Sequence, residues 1–156
     1  MARNVEIKAR ITDLEALVTR VAMIADREPT EIIQDDTFFN CAQGRLKLRN
    51  FPDGKGELIF YERADESGPK ESFYLISKTS EPDNLREILQ RAYGTSGRVK
   101  KQRMLYFFGR TRIHVDLVEN LGSFLELEVV LEEQENVEVG YAEAKSLLSE
   151  LGVDLT

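Results

Sequence analysis

Eight stretches of the chain alternate apolar and polar residues or are rich in strand-forming residues, as strands with one buried face are. They are residues 4–10, 31–40, 45–51, 57–64, 71–79, 97–108, 110–118 and 123–133. Apolar residues recur at helical spacing in three further stretches, 13–25, 81–94 and 138–152. Most strands follow one another after a short turn, as antiparallel hairpins do. The pattern predicts an α+β fold, with a largely antiparallel eight-stranded sheet or closed β-barrel and about three helices packed outside it.

Short polar residues and glycine mark the expected ends of the helices. Thr12 or Asp13 is expected to cap the first helix, because such side chains accept hydrogen bonds from the first free N–H groups. Ser80 is expected to cap the second helix, which has Pro82 in its first turn and Gly94 at its end. The second helix is therefore bounded by signals at both of its ends.

The composition is that of a globular protein. The chain has 156 residues, of which 42% are hydrophobic and 31% charged, and these values suit a single domain over residues 1–156. It has no apolar run of membrane-spanning length, no start resembling a signal peptide and one cysteine, so we expect a cytoplasmic protein without a membrane partner. One histidine and one cysteine argue against a Cys/His zinc site, and any metal is expected to be a hard cation bound by oxygen.

The charged residues are sorted by sign along the predicted strands. The net charge is −7, from 28 acidic and 21 basic residues, which makes the chain a poor candidate for binding nucleic acid. Cations share one face of two strands, at Arg45, Lys47 and Arg49 in the third and at Lys101 and Arg103 in the sixth. Glu126 and Glu128 share one face of the eighth strand.

Two interpretations of these charged faces compete. An antiparallel sheet often has one face in solvent, and such a face is charged. A solvated face usually mixes both signs across neighbouring strands, whereas here the third, fourth and sixth strands contribute cations, and the eighth strand and the end of the seventh contribute carboxylates. If the sheet closes with its apolar face outward beneath the helices, the charged side chains line a tunnel. A tunnel with cationic and anionic walls would bind a polyanion together with a divalent metal.

Several motifs occur in the order in which a known family has them. They are "VEIK" at 5–8, "RLKLR" at 45–49, "KQRMLYFFGR" at 101–110, "IHVD" at 113–116 and "NLGSFLELEVV" at 120–130. The chain resembles the CYTH superfamily, the triphosphate tunnel metalloenzymes, which includes class IV adenylyl cyclases and thiamine triphosphatases. It is most similar to the cyclase branch, and the resemblance implies an eight-stranded antiparallel tunnel. It departs from the family's E-x-E-x-K hallmark at Asn4, which replaces the first glutamate. Whether the site holds one metal ion or two is therefore left open.

The resemblance also implies roles for individual residues. It implies Mg²⁺ or Mn²⁺ held by Glu6, Asp116, Glu126 and Glu128. It implies triphosphate contacts from Lys8, Lys47, Arg49, Arg63, Lys101, Arg103 and Arg112. Lys8 or Lys101 would act as the general base or acid. His114 shares a strand face with two of these residues but is given no catalytic role.

The implied tunnel suits two reactions. Hydrolysis of tripolyphosphate, thiamine triphosphate or a nucleoside triphosphate is favoured, because it is the commoner activity in the family and no long insertion for an adenine pocket is visible. Conversion of ATP to cyclic AMP and pyrophosphate by a class IV adenylyl cyclase is the alternative. A non-catalytic polyphosphate or nucleotide sensor is a third interpretation, motivated by Asn4. The expected partner is a small-molecule triphosphate, and a homodimer is left open.

Overall fold

The computed structural model describes residues 2–63 and 69–153. The strands are β1 (Ala2–Arg10), β2 (Thr30–Phe39), β3 (Arg45–Asn50), β4 (Gly56–Arg63), β5 (Lys70–Thr79), β6 (Thr95–Phe108), β7 (Thr111–Val118) and β8 (Gly122–Val130). The helices are α1 (Leu14–Ile24), α2 (Pro82–Tyr93) and α3 (Val137–Glu150). Every predicted strand and helix is present, with ends that differ by a few residues. Ala64, the last residue of the predicted fourth strand, lies outside the described residues.

The strands form one closed antiparallel ring. Their order around the ring is β1-β5-β4-β3-β2-β6-β7-β8, so the first and last strands of the chain are hydrogen-bonded neighbours. Successive side chains of a strand point to opposite faces, and a closed ring therefore has one set of side chains inside and one set outside. The predicted antiparallel barrel is confirmed.

The hydrophobic core lies outside the ring, between the sheet and two of the helices. Val5 and Ile7 of β1 belong to the same buried cluster as Leu17 of α1 and Leu147 of α3. Helix α3 approaches β1 so closely that a Cβ added at Gly140 would lie 2.8 Å from Cγ2 of Val5. The apolar strand faces are thus turned outward beneath the helices, and the opposite, charged faces line the interior of the ring.

The ends of the helices agree with most of the predicted signals. Asp13 caps α1 with its side chain, and Gly94, with φ of 78°, ends α2. The prediction that Ser80 caps α2 is wrong. The N-cap residue is Glu81, and no side chain among the described residues makes a capping hydrogen bond to the first turn of α2; the N–H of Glu81 itself donates to Oγ1 of Thr79 at 3.1 Å. Among the described residues, none of the helices has the length and apolar character needed to span a membrane.

Candidate active site

Cross-strand pairing brings charged residues from distant parts of the chain together. Glu6 lies opposite Glu128, and Lys8 lies opposite Glu126, across β1 and β8. On the other side of β8, Glu126 lies opposite His114 of β7. Directly opposed residues share one face, because side-chain direction alternates along both strands. These five residues therefore belong to the same interior surface of the ring.

Three carboxylates meet inside the ring. Glu6, Glu126 and Glu128 each place one oxygen within 4.8 Å of the others, and no other such group of ligands occurs among residues 2–63 and 69–153. Burial raises the pKa of Glu6 to about 7, and repulsion from Glu126 and Glu128 adds to the shift. Carboxylate oxygens gathered in this way are the donors that Mg²⁺ and Mn²⁺ prefer. The donor set therefore fits a hard divalent cation.

The carboxylate of Glu126 lies near three basic side chains. Its Oε1 lies 3.1 Å from Nδ1 of His114 and 3.6 Å from Nη2 of Arg103, and its Oε2 lies 3.9 Å from Nζ of Lys8. Burial acts to raise the pKa of Glu126, but the hydrogen bond with His114 and the charge of Arg103 hold that pKa well below its usual value. The carboxylate is thus ionised and fixed in direction, as a metal ligand has to be.

Two arginines and Asn4 surround the three-carboxylate cluster. Nη1 of Arg63 lies 3.5 Å from Oε1 of Glu6, and Nη1 of Arg112 donates to Oε1 of Glu128 at 3.1 Å. Both arginines thus pair with carboxylates of the cluster, and their role as triphosphate contacts stays a prediction. Asn4 is 1% exposed, and no group in the described part of the chain hydrogen-bonds to its Oδ1. Its strand register places it two residues before Glu6, on the same face.

Asp116 lies among cations and outside the three-carboxylate cluster. It is fully buried, and it accepts hydrogen bonds from Nε and Nη2 of Arg103 at 2.8 and 2.9 Å. Nζ of Lys101 lies 3.6 Å from its Oδ2. Burial acts to raise the pKa of Asp116, but the hydrogen bonds from Arg103 keep that pKa below the usual value. The structure therefore does not bring Asp116 together with the other three predicted metal ligands.

The sequence pattern did not identify the interior carboxylate of Asp36. Asp36 is 2% exposed, accepts hydrogen bonds from Nε and Nη2 of Arg49, both at 2.8 Å, and lies 3.6 Å from Nζ of Lys47. Asp35, its neighbour in the chain, points out of the ring and pairs with Arg98. The two consecutive aspartates are a visible signal, but which of them faces inward depends on the strand register.

Two lysines of the cationic wall have strongly lowered pKa values. Burial, reinforced by the charge of Arg49, lowers the pKa of Lys47 to about 8. Burial, reinforced by the charge of Arg103, lowers the pKa of Lys101 to about 8 as well. Lys8, by contrast, has 47% of its side chain exposed. Lysines with such values exchange protons near neutral pH, so Lys47, predicted only as a substrate contact, joins Lys101 as a candidate acid or base.

Solved structures of low sequence identity share this fold. A protein from Pyrococcus horikoshii is 23% identical and superimposes with a TM-score of 0.83, over 97% of this chain and 91% of that chain. A candidate adenylate cyclase from Vibrio parahaemolyticus is 21% identical, with a TM-score of 0.75, over 97% and 89% of the two chains. A candidate adenylyl cyclase from Hippeastrum, described as having a dominant triphosphatase activity, is 14% identical, with a TM-score of 0.68, over 98% and 89%.

The comparison with protein families gives a match over nearly the whole chain. No curated protein matches the chain significantly. The family model of the CYTH domain, however, matches residues 2–155, which is nearly the entire chain. The closed ring with its charged interior and this match lead to the same conclusion: the chain belongs to the CYTH domain family.

Proposed function

We propose that this protein is a divalent-metal-dependent enzyme that hydrolyses a triphosphate bound inside the ring. The observation that carries the proposal is the meeting of three carboxylates and a cationic wall within one closed sheet. Arginine and lysine match a polyphosphate chain in charge and in hydrogen-bond donors. The cations paired with interior carboxylates are Lys8, Lys47, Arg49, Arg63, Lys101, Arg103 and Arg112.

Glu6, Glu126 and Glu128 would hold the Mg²⁺ or Mn²⁺ ion. When bound, the ion would neutralise part of the charge on the phosphate oxygens and so make phosphorus easier to attack. The cations of the wall contribute in the same sense, because phosphoryl transfer depends mainly on positioning and charge stabilisation. Asp116 is left out of the proposed ligand set, since Arg103 occupies both of its oxygens.

Lys47 and Lys101 are the proposed proton carriers. In hydrolysis, water attacks the terminal phosphorus and the bond from that phosphorus to the bridging oxygen breaks. The proton lost by water passes to a neutral lysine, and the leaving diphosphate group keeps the bridging oxygen. With a pKa of about 8, each lysine is partly neutral at slightly alkaline pH, so one can accept the proton while the other remains charged beside the phosphates.

Cyclisation of ATP is the second candidate reaction. The structural similarity to a candidate adenylate cyclase from Vibrio parahaemolyticus favours it. The Hippeastrum protein favours hydrolysis, since it is a candidate cyclase described as having a dominant triphosphatase activity. Both reactions would use the same cations and carboxylates. They differ in the attacking oxygen, which is that of water or the ribose 3′-oxygen, and in the phosphorus attacked, which is the terminal one or the α-phosphorus.

An analysis of reaction products tests the proposal. The protein is incubated with tripolyphosphate, thiamine triphosphate or ATP, each with Mg²⁺ or Mn²⁺, and the products are separated by anion-exchange chromatography. Hydrolysis releases orthophosphate, whereas cyclisation releases pyrophosphate and cyclic AMP, and only from ATP. Binding of a triphosphate without either set of products would identify a sensor and contradict the proposed enzyme.

A further inference from the structure

Two buried aspartates inside the ring have nearly identical surroundings. Asp36 binds Nε and Nη2 of Arg49 at 2.8 Å each, with Nζ of Lys47 at 3.6 Å. Asp116 binds Nε and Nη2 of Arg103 at 2.8 and 2.9 Å, with Nζ of Lys101 at 3.6 Å. In each case the lysine and the arginine are two residues apart on one strand, and the aspartate lies directly opposite the arginine on the next strand. The same arrangement is thus built twice.

The two arrangements lie side by side in the ring. Their residues belong to β3, β2, β6 and β7, which are consecutive in the ring order, and cations and carboxylates alternate across these four strands. The charge of Lys101 contributes to the lowered pKa of both Asp36 and Lys47. The two groups of residues therefore form one continuous surface.

Each aspartate occupies only one edge of its guanidinium group. The Nε–Nη2 edge of Arg49 and of Arg103 is bound, and within residues 2–63 and 69–153 the Nη1 group of neither arginine has a hydrogen-bond acceptor, so that its donors can serve a ligand. A guanidinium group fixed in this way, beside a lysine ammonium group, presents several donors to one tetrahedral phosphate. Free arginine and lysine side chains would lose more conformational entropy on binding the same ligand.

We propose that Asp36 and Asp116 are positioning residues, each of which holds one of two equivalent phosphate-binding clamps. The first clamp is Lys47, Arg49 and Asp36, and the second is Lys101, Arg103 and Asp116. A polyphosphate chain occupies both clamps, one phosphate in each, whereas a single phosphate occupies either. This inference rests on the proposed function in taking a polyphosphate as the ligand, and it gives Asp116 a role other than that of a metal ligand.

This inference is tested by variants that keep the negative charge of the aspartate but lengthen its side chain. Asp36→Glu and Asp116→Glu each add one methylene group, which moves the carboxylate out of the geometry of the two short bonds. The matched control is Asp35→Glu, because Asp35 makes the same two-bond contact to Arg98 on the outside of the ring, at 2.8 and 2.6 Å. Binding of tripolyphosphate and of orthophosphate is measured by isothermal titration calorimetry in EDTA, so that no metal contributes.

The two-clamp arrangement predicts a difference between the two ligands. Each interior variant should weaken tripolyphosphate binding by about tenfold or more, because the ligand can no longer bridge two clamps. Orthophosphate affinity should fall by only about twofold, because the intact clamp still binds it. Asp35→Glu should change neither affinity. If either interior variant fails to fold, Arg49→Lys and Arg103→Lys, which keep the charge but lose the planar fork, should show the same difference.

Three results would contradict the inference, and they can be told apart. Wild-type affinity for tripolyphosphate in both interior variants overturns the positioning role while leaving the proposed function intact. Loss of Mn²⁺ binding in Asp116→Glu alone, without phosphate present, makes Asp116 a metal ligand and overturns the equivalence of the clamps. If the wild-type protein binds no tripolyphosphate with or without Mn²⁺, the proposed function itself fails, and the clamps fail with it.

Discussion

Replacing Lys47 by methionine removes a charge that the fold keeps largely out of water. The side chain of Lys47 is 17% exposed, and burial is the main reason why its pKa is lowered from 10.5 to about 8. Because the pKa is lower in the folded state, the protonated lysine destabilises that state: the effect is complete below pH 8, declines between pH 8 and 10.5 and is absent above. A lowering from 10.5 to about 8 corresponds to about 3 kcal/mol. Methionine retains a flexible apolar chain, so Lys47→Met should raise the free energy of unfolding at pH 7 by up to this amount.

Urea unfolding followed by circular dichroism, at pH 7 and above pH 10.5, measures this effect. Lys100→Met is the matched control, since Lys100 is exposed and points outward from β6, and it should change the free energy of unfolding by less than about 0.5 kcal/mol. The advantage of Lys47→Met should be present at pH 7 and lost at high pH. An advantage of equal size at both pH values would refute the electrostatic explanation. The same variant should bind tripolyphosphate more weakly, because it lacks one phosphate contact.

Substitutions at three further positions test the carboxylate cluster. Glu126→Gln should lower turnover by about a hundredfold or more without unfolding the protein, because an amide attracts a divalent cation less than a carboxylate does; near-normal rates at limiting Mn²⁺ would rule out the metal assignment. Asn4→Glu should lower the metal concentration for half-maximal rate by adding a carboxylate on the strand face of Glu6, and superimposable titrations would show that position 4 does not face the metal. His114→Ala should weaken Mn²⁺ binding, measured by electron paramagnetic resonance, by about tenfold, because Glu126 loses the hydrogen bond that orients it. His114→Asn keeps a donor near the position of Nδ1 and should restore most of the affinity. Equal Mn²⁺ affinities in the two variants would mean that the hydrogen bond to Glu126 does not support metal binding.

The ring itself was predictable because its signals are local. Alternation fixes which residues share a strand face, and short turns make successive strands antiparallel neighbours. The same two-residue repeat correctly predicted that Lys47 and Arg49 share one face of β3, and that Lys101 and Arg103 share one face of β6. The incorrect cap at Ser80 is a local error of one residue, since the N-cap residue of α2 is Glu81.

The partners of the buried aspartates were not predictable in the same way. The sequence shows that Asp116 shares a face with His114, but the contact of Asp116 with Arg103 follows from the register between β6 and β7. That register depends on packing across the sheet, and a one-residue slip would turn the side chain to the other face. Asp36 was missed for the same reason, because Asp35 and Asp36 are chemically identical until the register of β2 distinguishes them.

The ring closes between the first and the last strand of the sheet. Because β1 pairs with β8, Glu6 meets Glu128 only when nearly the whole chain is in place. Contacts between residues so far apart in sequence form slowly, since a long intervening loop loses entropy when its ends are joined. The three-carboxylate cluster therefore depends on a strand pairing that we expect to form late in folding. A divalent ion bound there would stabilise only the closed ring, and its release would favour opening along the seam between β1 and β8.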